Sequence, residues 1–169
     1  MKWILFILIP VLMTSCWPSS VSFVDKGSMP PEWKDFTLKT LDSNAPNAPL
    51  SYPATLSEAI KDGIQNSTKL LITSAETESS IDIEGVINTY NVTPIALQEG
   101  DNASQNRLTI SVNFDIFIKV PEPQEMKLTS TRFIDYSSGQ DLSSIETQLL
   151  EEINIQIVQD VINKLLSNW

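Results

Sequence analysis

Between Arg107 and Val120 an apolar residue falls at every second position: Leu108, Ile110, Val112, Phe114, Ile116, Ile118 and Val120. Thr109, Ser111, Asn113, Asp115 and Lys119 fill most of the gaps. A period of two sustained over this length cannot be a helix, whose same-face residues recur every three or four, and it requires a strand with one buried and one wetted face. At about 3.3 Å per residue the strand is roughly 40 Å long, more than most domains use, so it needs both strand partners and an apolar layer to cover it. Glu125 to Tyr136, reached through Pro121-Glu122-Pro123, is the predicted partner strand.

The covering layer is legible at the end of the chain. Ile145, Leu149, Ile153, Ile157, Val161 and Leu165 recur every four residues with no Gly or Pro among them, and Leu150, Val158, Ile162 and Leu166 widen the stripe. This predicts a helix over 144–167, opened by a capping box at Ser143-x-x-Glu146. At 1.5 Å per residue it spans roughly 36 Å, a match for the strands. Its polar face carries Glu146, Glu151, Glu152 and Asp160 where a membrane-surface helix would carry Lys and Arg, so the stripe reads as core.

Weaker signals precede these. Phe36 and Leu38, with Leu41 out of phase, predict a strand near 35–42, ended by Asp42-Ser43-Asn44-Ala45-Pro46-Asn47. Tyr52 to Gln65 reads as a helix with Pro53 in its first turn, a capping box at Thr55-x-x-Glu58, an apolar face of Leu56, Ala59, Ile60 and Ile64, and an end weakened by Gly63. Leu70-Leu71-Ile72 is a short apolar run before the acidic turn Glu76-Thr77-Glu78. Ile81 and Ile83 alternate with Asp82 and Glu84, then Val86, Tyr90 and Val92 resume in the opposite phase, which predicts a bulge at Gly85. Strand, helix, several strands and helix give an α+β fold: a two-layer sandwich of a mainly antiparallel sheet with two helices packed on one face.

The start of the chain is of a different kind. Lys2, an apolar run from Trp3 to Met13 and the small residues Thr14 and Ser15 lead to Cys16, the only cysteine. This is the anatomy of a secretory signal, too short to cross a bilayer as a helix. Bacterial lipoprotein signals share this layout; the resemblance implies a cut before Cys16, diacylglycerol on its thiol and an N-acyl chain. Met13 stands where that signal usually has Leu, and Pro10 interrupts the apolar run. An ordinary secretory signal with an accidental cysteine is the competing reading. Residues 1–15 are thus expected to be a signal peptide, 16–32 a Ser- and Pro-rich tether with a short extended piece at 21–24, and 33–169 one domain. Trp17 and Pro18, rather than an acidic residue, follow Cys16, which by the same resemblance directs the protein to the periplasmic face of the outer membrane.

Removing residues 1–15 leaves 154 residues, with ten basic side chains against 21 acidic ones and a formal charge of −11. Such a surface repels phosphate backbones, and no basic run offers a nucleic-acid site. Catalytic chemistry is poorly provided for: the chain has no histidine, and glycines 27, 63, 85, 100 and 139 form no phosphate loop. Glu151-Glu152 diverge around a helix instead of converging on a substrate. No ligand spacing suggests a metal, although a site of carboxylates alone stays open. Asn66, Asn91 and Asn102 match the glycosylation acceptor, which matters only in a eukaryotic secretory pathway.

Several segments then resemble one family. They are Asn106-Arg107-Leu108-Thr109-Ile110, Arg132-Phe133-Ile134-Asp135-Tyr136, Ile145-Glu146-x-x-Leu149-Leu150-x-Glu152-Ile153, Asp160-Val161-Ile162-Asn163-Lys164 and the ending Asn168-Trp169, with Val21-Ser22-Phe23 and Gly27-Ser28-Met29-Pro30-Pro31 before them. Their order is similar to that of a divergent branch of LptE, the lipopolysaccharide-assembly lipoprotein of Gram-negative outer membranes. The resemblance implies a non-enzymatic protein without cofactor that plugs the LptD barrel and assists lipopolysaccharide transport to the outer leaflet. Direct lipopolysaccharide binding is a further expectation, resting on Arg107, Lys119, Lys127 and Arg132, which the predicted hairpin gathers. Alternation puts Arg107 and Lys119 away from the core; the plainer reading of all four is as solubilising charges on long strands. A lipoprotein scaffolding a different envelope complex is the alternative, and an enzyme built on converging carboxylates a more distant one.

Overall fold

The structure, a computed structural model, describes residues 29–74, 79–95 and 105–167. The signal peptide, Cys16, residues 21–24, the turn at 76–78, Asn102 and the Asn168-Trp169 ending lie outside the described residues.

Among the described residues six strands form one sheet. The strands are β1 Asp35–Leu38, β2 Asp42–Ser43, β3 Leu71–Ile72, β4 Ile81–Ile95, β5 Gln105–Ile118 and β6 Gln124–Ser137, with helix α1 Tyr52–Ser67 between β2 and β3 and helix α2 Leu142–Leu166 after β6. The order across the sheet is β3-β1-β4-β5-β6, and β2 pairs with β4 beside β1. The long ladders β4–β5 and β5–β6 are antiparallel. The short pairs β1–β3, β1–β4 and β2–β4 are parallel, so the sheet is mixed at one side. Parallel neighbours require a crossover, and α1 is the crossover that brings β3 back beside β1.

The period of two in β5 translates directly into burial. Leu108, Ile110, Val112, Phe114 and Ile116 are all essentially inaccessible, and Ile81, Ile83 and Ile87 of β4 extend the same inner surface. Over it lie Leu149, Ile153, Ile157, Val161 and Leu165 of α2 and Leu56, Ile60 and Ile64 of α1, giving one continuous core. A large buried aliphatic side chain contributes roughly 1.5–3 kcal/mol relative to exposure, so this inner layer outweighs any single polar contact on the molecule.

Four local expectations need correction. The first strand is broken: β1 ends at Leu38 and β2 resumes at Asp42, with Leu41 between them buried and its N–H bonded to Ser57 Oγ at 2.9 Å. Neither capping box forms. α1 is preceded by Ser51, with Thr55 inside the helix donating to Ser51 O, and α2 is preceded by Asp141, whose carboxylate accepts from Ser143. Gly85 is not the bulge: it pairs regularly with Phe114, and the register shifts between Ile87 and Thr89. Gly63 does not weaken the end of α1, which runs on to Ser67.

Both glycines serve close packing instead. A Cβ at Gly85 would stand 2.5 Å from Leu41 Cδ2 and 2.8 Å from Phe114 Cδ1, and a Cβ at Gly63 would collide with Val158 of α2. The first lets the β1–β2 connection fold onto β4; the second lets the two helices approach. Pro94, also in β4, is tolerated because β2 pairs no further along β4 than Ile87. Gly85→Val is expected to lower stability by about 1–3 kcal/mol through overpacking, in spite of valine's better strand propensity. An unchanged denaturation midpoint would mean that Leu41 and Phe114 do not depend on that space.

Candidate functional site

Among the described residues no element covers the face of the sheet away from the helices. In β5 it presents Arg107, Thr109, Ser111, Asn113, Asp115 and Phe117, and in β6 Glu125, Lys127, Thr129, Thr131, Phe133 and Asp135, because alternate residues of each strand share a face. Hydroxyl and amide groups bond across the strands: Ser111 and Thr131 are 2.9 Å apart, and Thr129 donates to Asn113 Oδ1 at 2.9 Å. The face is therefore largely polar, with Phe117 and Phe133 as its aromatic members.

Three of the four basic residues singled out in the sequence lie on this face, each beside a carboxylate. Arg107 donates two hydrogen bonds to Asp135, at 2.7 and 2.9 Å, and its guanidinium stacks 3.8 Å from the ring centre of half-exposed Phe133. That bidentate contact holds the Asp135 carboxyl below its ordinary range and raises Arg107 above its own. Lys127 reaches Glu125 at 3.0 Å and Asp115 at 3.4 Å, and hydrogen bonds to Glu125 first and Asp115 second raise its ammonium pKa.

Lys119 follows the end of β5 and pairs with Asp82 of β4 at 2.6 Å. Burial pushes the Asp82 carboxyl up, but hydrogen bonds from Lys119, Ser79 and Thr37 together outweigh it and leave Asp82 below its usual value. Arg107 and Lys119 are twelve residues apart on one strand, about 40 Å, so the hairpin does not converge them on one spot.

Arg132 departs from this arrangement. It sits opposite Ile110, in the inward row of β6 with Met126, Leu128, Ser130, Ile134 and Tyr136. Its guanidinium turns to α2 and makes a bidentate contact with Asp160, which also accepts from Ser130 Oγ at 2.5 Å. Burial raises the Asp160 carboxyl, and the bonds from Arg132 and Ser130 more than reverse that. Met126, Leu128, Ile134 and Tyr136, all at even positions, carried the signal for this placement.

A second polar group links the two helices to the sheet and had no counterpart in the sequence analysis. Tyr52 of α1 donates to Asn154 of α2 at 2.9 Å, and Tyr90 of β4 donates to Glu146 of α2. The two tyrosine rings meet edge to face, 6.1 Å between centres. Burial pushes both phenols far above their ordinary range, with Glu146 adding to the effect on Tyr90, so each stays a neutral donor. Asn154, buried within the apolar stripe, was the available clue.

Elsewhere, an open cavity of about 720 Å³ lies where the chain enters the domain, lined by Met29, Trp33, Lys34, Lys69, Leu71 and Leu166 among others. Trp33 closes one side, its indole donating to Val120 O at 2.9 Å. Among the described residues no group of three acidic or cysteine side chains is placed to hold a metal, and no helix is long and apolar enough to cross a membrane.

The fold places this chain in a class of two-layer α+β domains in which a helix pair covers one face of a long-stranded sheet. It is similar to a hypothetical protein from Chlamydia trachomatis (TM-score 0.57, 13% identity, covering 80% of this chain and 99% of that one). It is also similar to a protein from Xanthomonas campestris (TM-score 0.52, 10% identity, 82% and 90% covered) and to uncharacterized lipoprotein B from Nitrosomonas europaea (TM-score 0.50, 16% identity, 79% and 83% covered). No curated protein matches the chain by sequence. Within that class the assignment is specific: the model of the family described as "LptE: Lipopolysaccharide-assembly" matches residues 38–165, and the chain belongs to that family. LptE is a non-enzymatic family of envelope lipoproteins that act in lipopolysaccharide assembly.

The Arg132–Asp160 contact gives a signed pH dependence. The folded carboxyl lies below its ordinary 3.8, so its contribution to stability is complete above that value and is lost as pH falls through the lower folded one. Asp160→Asn is expected to cost about 1–3 kcal/mol at neutral pH and to flatten the acid limb of stability in chemical denaturation measured from pH 7 to pH 2. A variant with an unaltered acid limb would remove Asp160 from the account.

Proposed function

We propose that this protein is the lipid-anchored plug of an LptD-type outer-membrane barrel and that it assists lipopolysaccharide transport to the outer leaflet without catalysing a reaction. The observation that carries this reading is the open sheet face. Its hydroxyl and amide groups bond one another, and its cations are matched by Asp82, Asp115, Glu125 and Asp135. A large barrel lumen is polar and wet, and a rigid face of paired polar groups, on which the Arg107 guanidinium stacks over half-exposed Phe133, can stand against it without burying an unpaired charge. Diacylglycerol and an N-acyl chain on Cys16, palmitate being the expected acid, would hold the domain at the periplasmic side of the outer membrane and raise its effective concentration near the barrel.

Direct lipopolysaccharide contact belongs to the same reading. Arg107, Lys119 and Lys127 face outward and could exchange a carboxylate for a lipid phosphate, whereas Arg132 would have to leave Asp160. Replacing Arg107, Lys119 and Lys127 with Gln is expected to weaken lipopolysaccharide binding severalfold and to reduce its salt dependence, measured by equilibrium binding at two ionic strengths. Unchanged affinity would confine these side chains to stability and solubility.

The plug reading itself is tested by mild-detergent purification of the tagged protein from its native envelope, with mass spectrometry of partner and of Cys16. A large outer-membrane barrel in near-equal amount with an acylated Cys16 is the expected result. An acylated protein recovered with an unrelated complex would favour the scaffold alternative and remove the barrel.

A further inference from the structure

The two edges of the sheet are unequal. At one edge β3 is two residues long, Leu71–Ile72, and the end of β4 that β2 leaves unpaired beyond Ile87 is interrupted by Pro94, so neither offers a long run of backbone for another strand to join. At the other edge β6 runs for 14 residues without Gly or Pro and pairs with β5 at every position, Gln124 to Ser137, without a register shift. Among the described residues no strand pairs with its far side. In an antiparallel ladder alternate residues direct N–H and C=O away from the neighbour, so β6 presents a long row of donors and acceptors of the kind that recruits another strand.

The side chains of β6 say which strand fits. Side-chain faces match in an antiparallel pair of two β6 strands only if odd residues oppose odd ones and even oppose even. With the two-fold axis at Thr131, Lys127 stands opposite Asp135 of the second copy, Met126 opposite Tyr136, Leu128 opposite Ile134, and Ser130 opposite Arg132. Every apolar residue of the inward row then meets an apolar one, and each Lys127 meets an acid. The adjacent permitted registers fail on charge. An axis at Ser130 sets Glu125 against Asp135, and an axis at Arg132 sets that arginine against itself.

We propose that β6 is a self-recognition edge, pairing antiparallel with β6 of a second copy of this chain about a two-fold axis at Thr131, and joining two sheets into one. Lys127 and Asp135 set the register: Lys127 is largely exposed, and a carboxylate oxygen bonded by Arg107 retains a lone pair for a second donor. The pairing shields the long edge of the protein outside its assembly complex, and it does not rest on the plug reading.

The test uses the mature chain, residues 16–169, carrying Cys16→Ser so that introduced thiols stand alone. Sedimentation velocity is expected to show a concentration-dependent dimer, and Lys127→Glu, which sets two like-charge pairs across the axis, to raise the dissociation constant about tenfold. Under mild oxidation Thr131→Cys should form a disulfide-linked dimer, while Thr129→Cys and Phe133→Cys should each cross-link at less than about a tenth of that rate. The double variant Thr129→Cys/Phe133→Cys should cross-link fast, and it probes the same register if Thr131→Cys fails to fold. A monomer at every soluble concentration, or equal cross-linking at 129, 131 and 133, would overturn the proposal.

Discussion

The structure depends on the inward row of β5. Leu108 through Ile118 form an unbroken apolar line through the middle of the molecule, and each neighbouring element is placed by the need to cover or extend it. β4 and β6 extend it sideways through ladders of about the same length, because shorter partners would leave its ends uncovered. α2 covers it with side chains four residues apart, and α1 fills the remainder against α2. The close approach of the helices requires Gly63, and the return of the chain over β4 requires Gly85. The two glycines are thus set by the core, although neither belongs to it.

Polar groups inside this layer specify geometry more than they add stability. Apolar contact alone would let α2 slide or rotate over the sheet, since one leucine stripe resembles the next turn's. Tyr52–Asn154, Tyr90–Glu146 and the Arg132–Ser130–Asp160 cluster fix it at three places along its length. Each is a buried or half-buried pairing whose rupture would strand a polar atom, and that cost penalises every wrong register of the helix.

The long elements were legible in the sequence because their periodicity is sustained. Six alternating apolar residues in β5 and six at four-residue spacing in α2 outweigh local propensity, and both elements fall within two or three residues of expectation. What failed was decided across the chain instead of along it. The phase change between Ile83 and Tyr90 announced a bulge somewhere, but its site depends on which β4 residues lie against β5, and Gly85 was claimed by Leu41 and Phe114. The capping boxes matched the pattern of spacing, yet helix starts were set by Tyr52 packing under α2 and by the turn from β6. Arg132 shows the same limit: its even position marked it as inward, but only Asp160 on a distant helix makes an inward arginine tolerable.

Charge divides the molecule into two sides of different character. The helical layer exposes Glu58, Asp62, Glu151 and Glu152 against Lys61 and Lys164, while the open sheet face balances nearly every acid with a cation. An anion is repelled more by the first side than by the second, and the difference is felt within about 8 Å of the surface at physiological salt. The formal charge of −10 is therefore not spread evenly over the two sides. The same balance explains why the ion pairs are worth having where each alone adds little to stability. They keep the open face close to neutral while leaving its cations at the surface.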